Sequence, residues 1–173
     1  MKNARFKINI EIDRKQYNEN GFNKIEFFIS TNIGEEQKPL IKIASGGELS
    51  RIMLAIKTVL ADVDEVSTIV FDEIDTGISG TAAKAVSQKM KLISNKHQIL
   101  VITHLPVIAA VANHNFYISK SVIEGKTRTN IKLLEEQEII EEIARMSTGQ
   151  VTKSSIENAK ELRNINKQHR KTA

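Results

Sequence analysis

Two short β-branched runs, Thr68-Ile69-Val70-Phe71 and Ile99-Leu100-Val101-Ile102, flank a stretch in which Ala83, Val86, Met90 and Ile93 recur at helical spacing. Strand, helix and strand in that order imply a parallel pair joined by a crossover helix, because two parallel strands need a long connection. The unbroken apolar character of both runs predicts strands buried on both faces. Parallel α/β units carry their chemistry at the C-terminal ends of the strands. Those ends here are Asp72-Glu73 and Thr103-His104.

The flanking segments fill in an α/β domain. Phe6, Ile8, Ile10 and Ile12 alternate with polar residues, the period of a half-buried strand, and Ile25, Phe27 and Ile29 resume it beyond a polar stretch containing Asn20-Gly21. Two antiparallel strands follow, with Pro39 closing a polar loop. Leu49, Ile52, Met53, Ile56, Val59, Leu60 and Val63 predict a buried helix running to about Val63. Beyond the parallel pair, Pro106–Ala112 reads as helical, and Phe116–Ile123 and Thr127–Leu134 read as strands joined across Glu124-Gly125. A helix through Ile139, Ile143 and Met146 stops at Gly149, and a last one through Ile156, Ala159 and Leu162 has Ser154 and Glu157 in capping-box spacing. One domain over residues 1–173 is expected, with an antiparallel region at about 5–44, a chemical core at 45–112, and a hairpin with terminal helices at 113–173.

Composition narrows the functional classes. The 173 residues contain no cysteine, which excludes disulfides, thiolate metal sites and cysteine nucleophiles. No apolar run approaches the roughly 20 residues of a membrane-spanning helix. Tryptophan is absent and aromatic residues make up 5%, which argues against a base-stacking platform. The formal charge of +4 is concentrated in residues 153–173, where six Lys or Arg (Lys153, Lys160, Arg163, Lys167, Arg170, Lys171) face two acids. That tail reads first as a solvated helix end and second as a contact for DNA phosphates.

Three short motifs carry chemistry. Ser45-Gly46-Gly47-Glu48 opens a helix, where two glycines allow close backbone approach and the helix start offers free N–H groups to a phosphate. The same four residues form a capping box that satisfies those N–H groups internally. At the end of the first buried strand, Asp72 can hold Mg²⁺ and Glu73 can take a proton from water. His104 at the end of the second can polarise a nucleophilic water beside a terminal phosphate; a packed loop histidine is its alternative. His97, His114 and His169 sit in polar surroundings and read as surface residues.

Taken together the motifs resemble those of an ABC-type ATPase. Residues 44–51 (ASGGELSR) resemble an ABC signature, Ile69–Glu73 a Walker B strand, residues 75–80 (DTGISG) a D-loop, and Thr103-His104-Leu105-Pro106 a switch-histidine loop. From about Arg5 to about Leu162 the chain resembles the C-terminal part of the RecN family, bacterial SMC-like proteins of double-strand break repair. The resemblance implies an α/β fold, the C-terminal lobe of an ABC/SMC-type P-loop NTPase head, with ATP and Mg²⁺ as cofactors. It implies that Asp72 helps hold Mg²⁺, that Glu73 positions or deprotonates water, and that His104 contacts the γ-phosphate region. Ser45, Gly46, Gly47, Glu48 and Asp75 would serve the ATP of an opposing head in a nucleotide-sandwiched dimer. DNA is an implied partner, and the implied setting is the bacterial cytoplasm, associated with the nucleoid.

Two departures and one absence qualify the match. Ala44 and Glu48 stand where transporters carry Leu and Gln, and Ser79 stands in place of the usual D-loop Asp. No G-x-x-x-x-G-K-S/T phosphate loop occurs in the 173 residues. In SMC-like proteins that loop lies in the N-terminal half of the head, so the chain is expected to be a half-head that needs this second half and hydrolyses no ATP alone. The competing readings are a nucleotide-independent module binding a partner or DNA through the basic tail, and the half-head of another SMC-like or RecF-like ATPase. With its neighbours missing, such a half is also expected to expose apolar faces and to be poorly soluble.

Overall fold

The computed structural model describes residues 4–12, 19, 21–31, 34–43, 45–123 and 125–168. Alternation in the first segment yields β1 (Arg5–Ile12) and β2 (Asn23–Ser30), paired antiparallel with Phe6 opposite Ile29, Ile8 opposite Phe27 and Ile10 opposite Ile25. The alternating apolar side chains therefore share one face, while Phe28, opposite Lys7, lies on the other. On the shared face the Phe6 and Phe27 rings pack 5.5 Å apart. That face was expected to be half-buried; most of it is exposed, and Ile29 is its one residue in the core. A two-residue strand, β3 (Lys38–Pro39), extends the sheet at Phe28–Ile29. The apolar segment after Pro39 is a short 3-10 turn, Leu40–Lys42.

α1 (Gly46–Leu60) starts at Ser45, ends three residues before the expected Val63, and buries only Ile52 and Leu54 among its large side chains. Leu49, Met53, Val59 and Leu60 remain exposed, Val59 most of all, so the helix is less buried than its sequence implied. β4 (Thr68–Phe71) and β5 (Gln98–Val101) pair in parallel, joined by α2 (Gly80–Ile93), as the strand–helix–strand pattern requires.

Burial on both faces of this pair is not observed. Ile69, Phe71, Ile99 and Val101 pack on one face against Leu54, Val86, Met90, Ile93 and Ile108. On the other, Val70, Leu100 and Ile102 are 64%, 46% and 57% exposed. Residues alternate strictly along a strand, so helices layered on a single side can cover only every second residue. The expectation that apolar faces would be open is met here and on both hairpins.

α3 (Pro106–Ala109) is shorter than expected, closing in a turn at Ala110. It joins two cores, with Ile108 in the first and Ala109 and Ala110 in the second. β6 (Phe116–Ile123) and β7 (Lys126–Leu133) form the expected hairpin, turning at Gly125 with φ 74°. Its apolar row, including Phe116, Ile118, Ile131 and Leu133, is exposed. α4 (Glu136–Thr148) begins in a capping box between Glu135 and Glu138 and ends at left-handed Gly149. α5 (Lys153–Gln168) packs on α4 through Ile139, Ile143, Ala144 and Ala159. Its cap is Thr152, whose Oγ1 accepts from the Ser155 N–H at 3.2 Å while Ser155 Oγ accepts from the Thr152 N–H at 2.8 Å. The box therefore lies two residues before the expected Ser154–Glu157 pair.

Candidate functional site

The segment after β4 makes a sharp turn. Ile74 is fully buried in the first core and pins the turn down. The Thr76 N–H donates to the Glu73 carbonyl at 3.0 Å, closing it. Around that anchor Asp72 and Glu73 are exposed, and Asp75 is buried alongside Ile74. The Glu73 backbone is left-handed, φ 56°, the one non-glycine residue with positive φ among the described residues. Such a conformation costs roughly 1–2 kcal/mol and concentrates at functional turns. Asp72 Oδ1 accepts from the Glu73 N–H at 2.9 Å, which supports the bend.

The Gly46-Gly47 helix start abuts this turn. A Cβ on Gly46 would collide with the Glu73 carboxylate, and one on Gly47 would lie 2.9 Å from the Glu73 carbonyl oxygen and 3.0 Å from that of Thr76. Glycine at position 47 is thus required by the approach of the two backbones, before any ligand is considered, whereas at position 46 the crowding comes only from the flexible end of the exposed Glu73 side chain. Ser45 caps the helix, its Oγ accepting from the Glu48 N–H at 3.4 Å. Gly46 is exposed and Ser45 partly so, which leaves the helix start open to an anion.

Two residues overlooked in the motifs lock the pieces together. Ser50 Oγ donates to the Asp72 carbonyl at 2.8 Å. Arg51 Nη1 donates to the carbonyls of Thr76 at 2.8 Å and Ile74 at 3.2 Å. The signal was available: Ser50 and Arg51 lie four residues beyond Gly46 and Gly47, one helical turn away on the same face.

Asp75 and His104 meet on the other side of the turn. Asp75 is 3% exposed, and its Oδ2 accepts from Thr103 Oγ1 at 2.6 Å and from the His104 N–H at 2.8 Å. His104 Nδ1 lies 3.0 Å from the same oxygen, while the rest of its side chain is open to solvent. No hydrogen bond or ion pair joins His104 to Asp72 or Glu73 among the described residues. Ser79, at the start of α2, makes no side-chain capping bond.

Two sequence readings need correction. His97 is buried rather than superficial: it is 6% exposed, with Nδ1 2.6 Å from the Val66 carbonyl, because the chain folds back between α2 and β5. Arg163, counted in the basic tail, is buried as well. Its Nε and Nη2 donate to Glu136 at 3.3 and 3.1 Å, and its Nη1 donates to the Ala110 and Ala112 carbonyls at 3.1 and 2.6 Å. It joins α5 to α4 and α3 and is withdrawn from any surface role. His169, Arg170 and Lys171 lie outside the described residues, as does Ala44.

Among the described residues no group of three or more His, Asp or Glu could hold a metal by itself. A Mg²⁺ held by one carboxylate, phosphate oxygens and water needs no such group, and a single exposed Asp72 at a strand end fits that mode. No helix among the described residues is long and apolar enough to cross a membrane.

The architecture is that of the C-terminal lobe of an ABC/SMC-type ATPase head. The Smc head domain with coiled coil and joint derived from Pyrococcus yayanosii matches with a TM-score of 0.55 at 23% identity, over 83% of this chain and 26% of that one. The Pyrococcus furiosus Smc head with an extended coiled coil, bound to the C-terminal domain of ScpA, matches with a TM-score of 0.50 at 26% identity, over 80% and 33%. The sequence is similar to the C-terminal part of the bacterial DNA repair protein RecN. It is 48% identical to RecN of Halalkalibacterium halodurans over 150 residues, 86% of this chain and 26% of the relative. It is 48% identical to RecN of Bacillus subtilis over 148 residues and 39% identical to that of Vibrio cholerae over 163, covering 85% and 94% of this chain. The chain thus spans about a quarter of the length of the curated relatives it matches. No family model matches.

Proposed function

We propose that this chain is one half of an ATP-binding and hydrolysing head of a RecN-like protein acting on DNA double-strand breaks. A second half bearing the phosphate loop completes it. The observation that carries the reading is the docking of Gly46-Gly47 onto the Glu73–Thr76 turn, which joins a signature-like helix start to a strand-end acid pair. Bound ATP with Mg²⁺ supplies the phosphoryl group and the charge neutralisation for its transfer. Asp72 holds the cation from the end of β4. Glu73 orients the attacking water and takes its proton, and His104 contacts the terminal phosphate region. Ser45, Gly46, Gly47 and Glu48 present the start of α1 to the nucleotide of an opposing head. Each site is therefore completed by dimerisation, and DNA held between paired heads is the substrate of the assembly. One domain, working in the bacterial cytoplasm, fits this role.

The test combines the chain with the N-terminal half of a RecN relative. The chain alone should hydrolyse ATP at background rate, and the mixture should hydrolyse it measurably. Glu73→Gln should lower kcat by about 10²- to 10⁴-fold. Ser45→Arg should abolish ATP-dependent dimerisation seen by sedimentation. Turnover by the isolated chain that is lost in Glu73→Gln, or unchanged dimerisation of Ser45→Arg, overturns the proposal.

The nucleotide-independent reading, with DNA held by the basic tail, is weakened by one observation: Arg163 is committed to Glu136 and two backbone carbonyls.

A further inference from the structure

We infer that the polar face of the β6–β7 hairpin is a contact for the phosphate backbone of duplex DNA, made by Lys126 and Arg128 with Ser121 and Asn130. The choice of DNA as the polyanion rests on the function proposed above; the location of the contact does not.

The register divides the hairpin into two unlike faces. Phe116 and Ile118 of β6 stand opposite Leu133 and Ile131 of β7, and alternation puts all four on one side. On the other side Arg128 stands opposite Ser121, Asn130 opposite Ser119 and Lys126 opposite Ile123. Asn130 Nδ2 donates to Ser121 Oγ at 3.4 Å, a diagonal bond between residues of that second face. The two strands carry four cations, Lys120, Lys126, Arg128 and Lys132, and no acid.

Three details select the partner. Lys126 and Arg128 are exposed and make no side-chain hydrogen bond or ion pair among the described residues. Lys132 differs, because it is paired with Glu138 at the start of α4, and it is not counted in the contact. Next, Lys126 and Arg128 are two residues apart on an extended strand, about 6.8 Å, which matches two steps of about 3.4 Å along one DNA strand. Lastly, Ser121 accepts in its bond with Asn130, so its own hydroxyl hydrogen is left for an outside acceptor. Cations flanked by a hydroxyl and an amide are the side chains that hold phosphate oxygens. A protein partner calls for aromatic or aliphatic anchors, and the apolar row of this hairpin lies on the reverse side. Tyr117 is the single aromatic residue on the polar face and cannot stack successive bases, which favours a duplex over a single strand.

The test is fluorescence anisotropy of the full 173-residue chain on a labelled duplex, titrated at several KCl concentrations. Lys126→Gln combined with Arg128→Gln should weaken binding at least about tenfold at low salt. The same variant should flatten the slope of log K against log[KCl] by about 1.8, since each phosphate contact contributes about 0.9. Lys7→Gln combined with Lys24→Gln removes equal charge from the exposed β1–β2 hairpin and should leave both values unchanged. Equal losses in the two double variants would show an effect of net charge and overturn the inference. Unchanged binding by the β6–β7 variant would overturn it too, as would tighter binding of a single strand of the same length. Displacement of the duplex by polyglutamate at matched charge would identify an acidic protein as the partner and overturn it as well. In the complemented head, the β6–β7 variant should keep its ATPase rate without DNA and lose DNA affinity. A complemented head that binds DNA through the hairpin but hydrolyses no ATP would refute the ATPase reading and leave the contact standing. Absence of DNA binding by both the chain and the complemented head would overturn the contact together with the DNA reading.

Discussion

The guanidinium of Arg51 reaches from the first turns of α1 to the Thr76 carbonyl, 2.8 Å away on the loop after β4. Together with its bond to Ile74, this makes one side chain the brace between helix start and turn. Arg51→Ala should destabilise the chain by about 1–3 kcal/mol, because charge-assisted bonds are lost and the Ile74 carbonyl is left without its partner. Arg51→Lys should recover only part of that, since a point ammonium does not reproduce the planar fork. Urea unfolding of the three proteins gives the order.

Arg163 should act on stability and not on nucleic acid. Removing it breaks two bonds to Glu136 and uncovers the carbonyls that end α3. A cost of about 2–4 kcal/mol is expected for Arg163→Ala. Fluorescence anisotropy with duplex DNA should find its affinity and salt slope unchanged, whereas a phosphate contact would flatten the slope by about one unit.

Acid should weaken the end of α1. Lys57 lies 2.5 Å from Asp64, and this bond, helped by the Val66 N–H, holds the Asp64 carboxyl below the ordinary aspartate value of 3.8. A carboxyl depressed on folding contributes stability that is fully present above 3.8 and lost as pH falls through its lower folded value. The stability gap between the native chain and Asp64→Asn should therefore be constant at neutral pH and shrink below about pH 4. Thermal melts across that range measure it.

The parallel pair offers a contrast between adjacent residues. Ile99 packs into the first core and Leu100 points away from it. Ile99→Lys should unfold the chain or cost about 3 kcal/mol or more. Leu100→Lys should change stability by less than about 0.5 kcal/mol and reduce self-association in sedimentation. Equal damage from both would contradict the one-sided layering.

Much of the fold was legible because it is local. The β6–β7 hairpin, the stop at Gly149 and the crossover between β4 and β5 follow from period, turn chemistry and connection length, all encoded within short windows. Burial was the part misread, at β4 and β5, along α1 and on β1. Val70 and Leu100 have the composition of strands covered on both sides, and nothing in the residues between them says which cover is supplied by this chain. His97 and Arg163 failed for the converse reason, since polar residues in polar surroundings look superficial until a distant segment folds over them. At the site, motif positions were readable, but the partners of Asp75 were not, because its bonds to Thr103 and His104 span nearly thirty residues.

The left-handed backbone at Glu73 bears on what the position costs the fold. A glycine there would shed the steric penalty, offset in part by greater freedom of the unfolded chain, so Glu73→Gly should be neutral or up to about 1 kcal/mol more stable. A β-branched residue should be worse than glutamate. On stability alone glycine is the better residue at this position, so a carboxylate here gives up robustness at a single peptide unit for what its side chain can do.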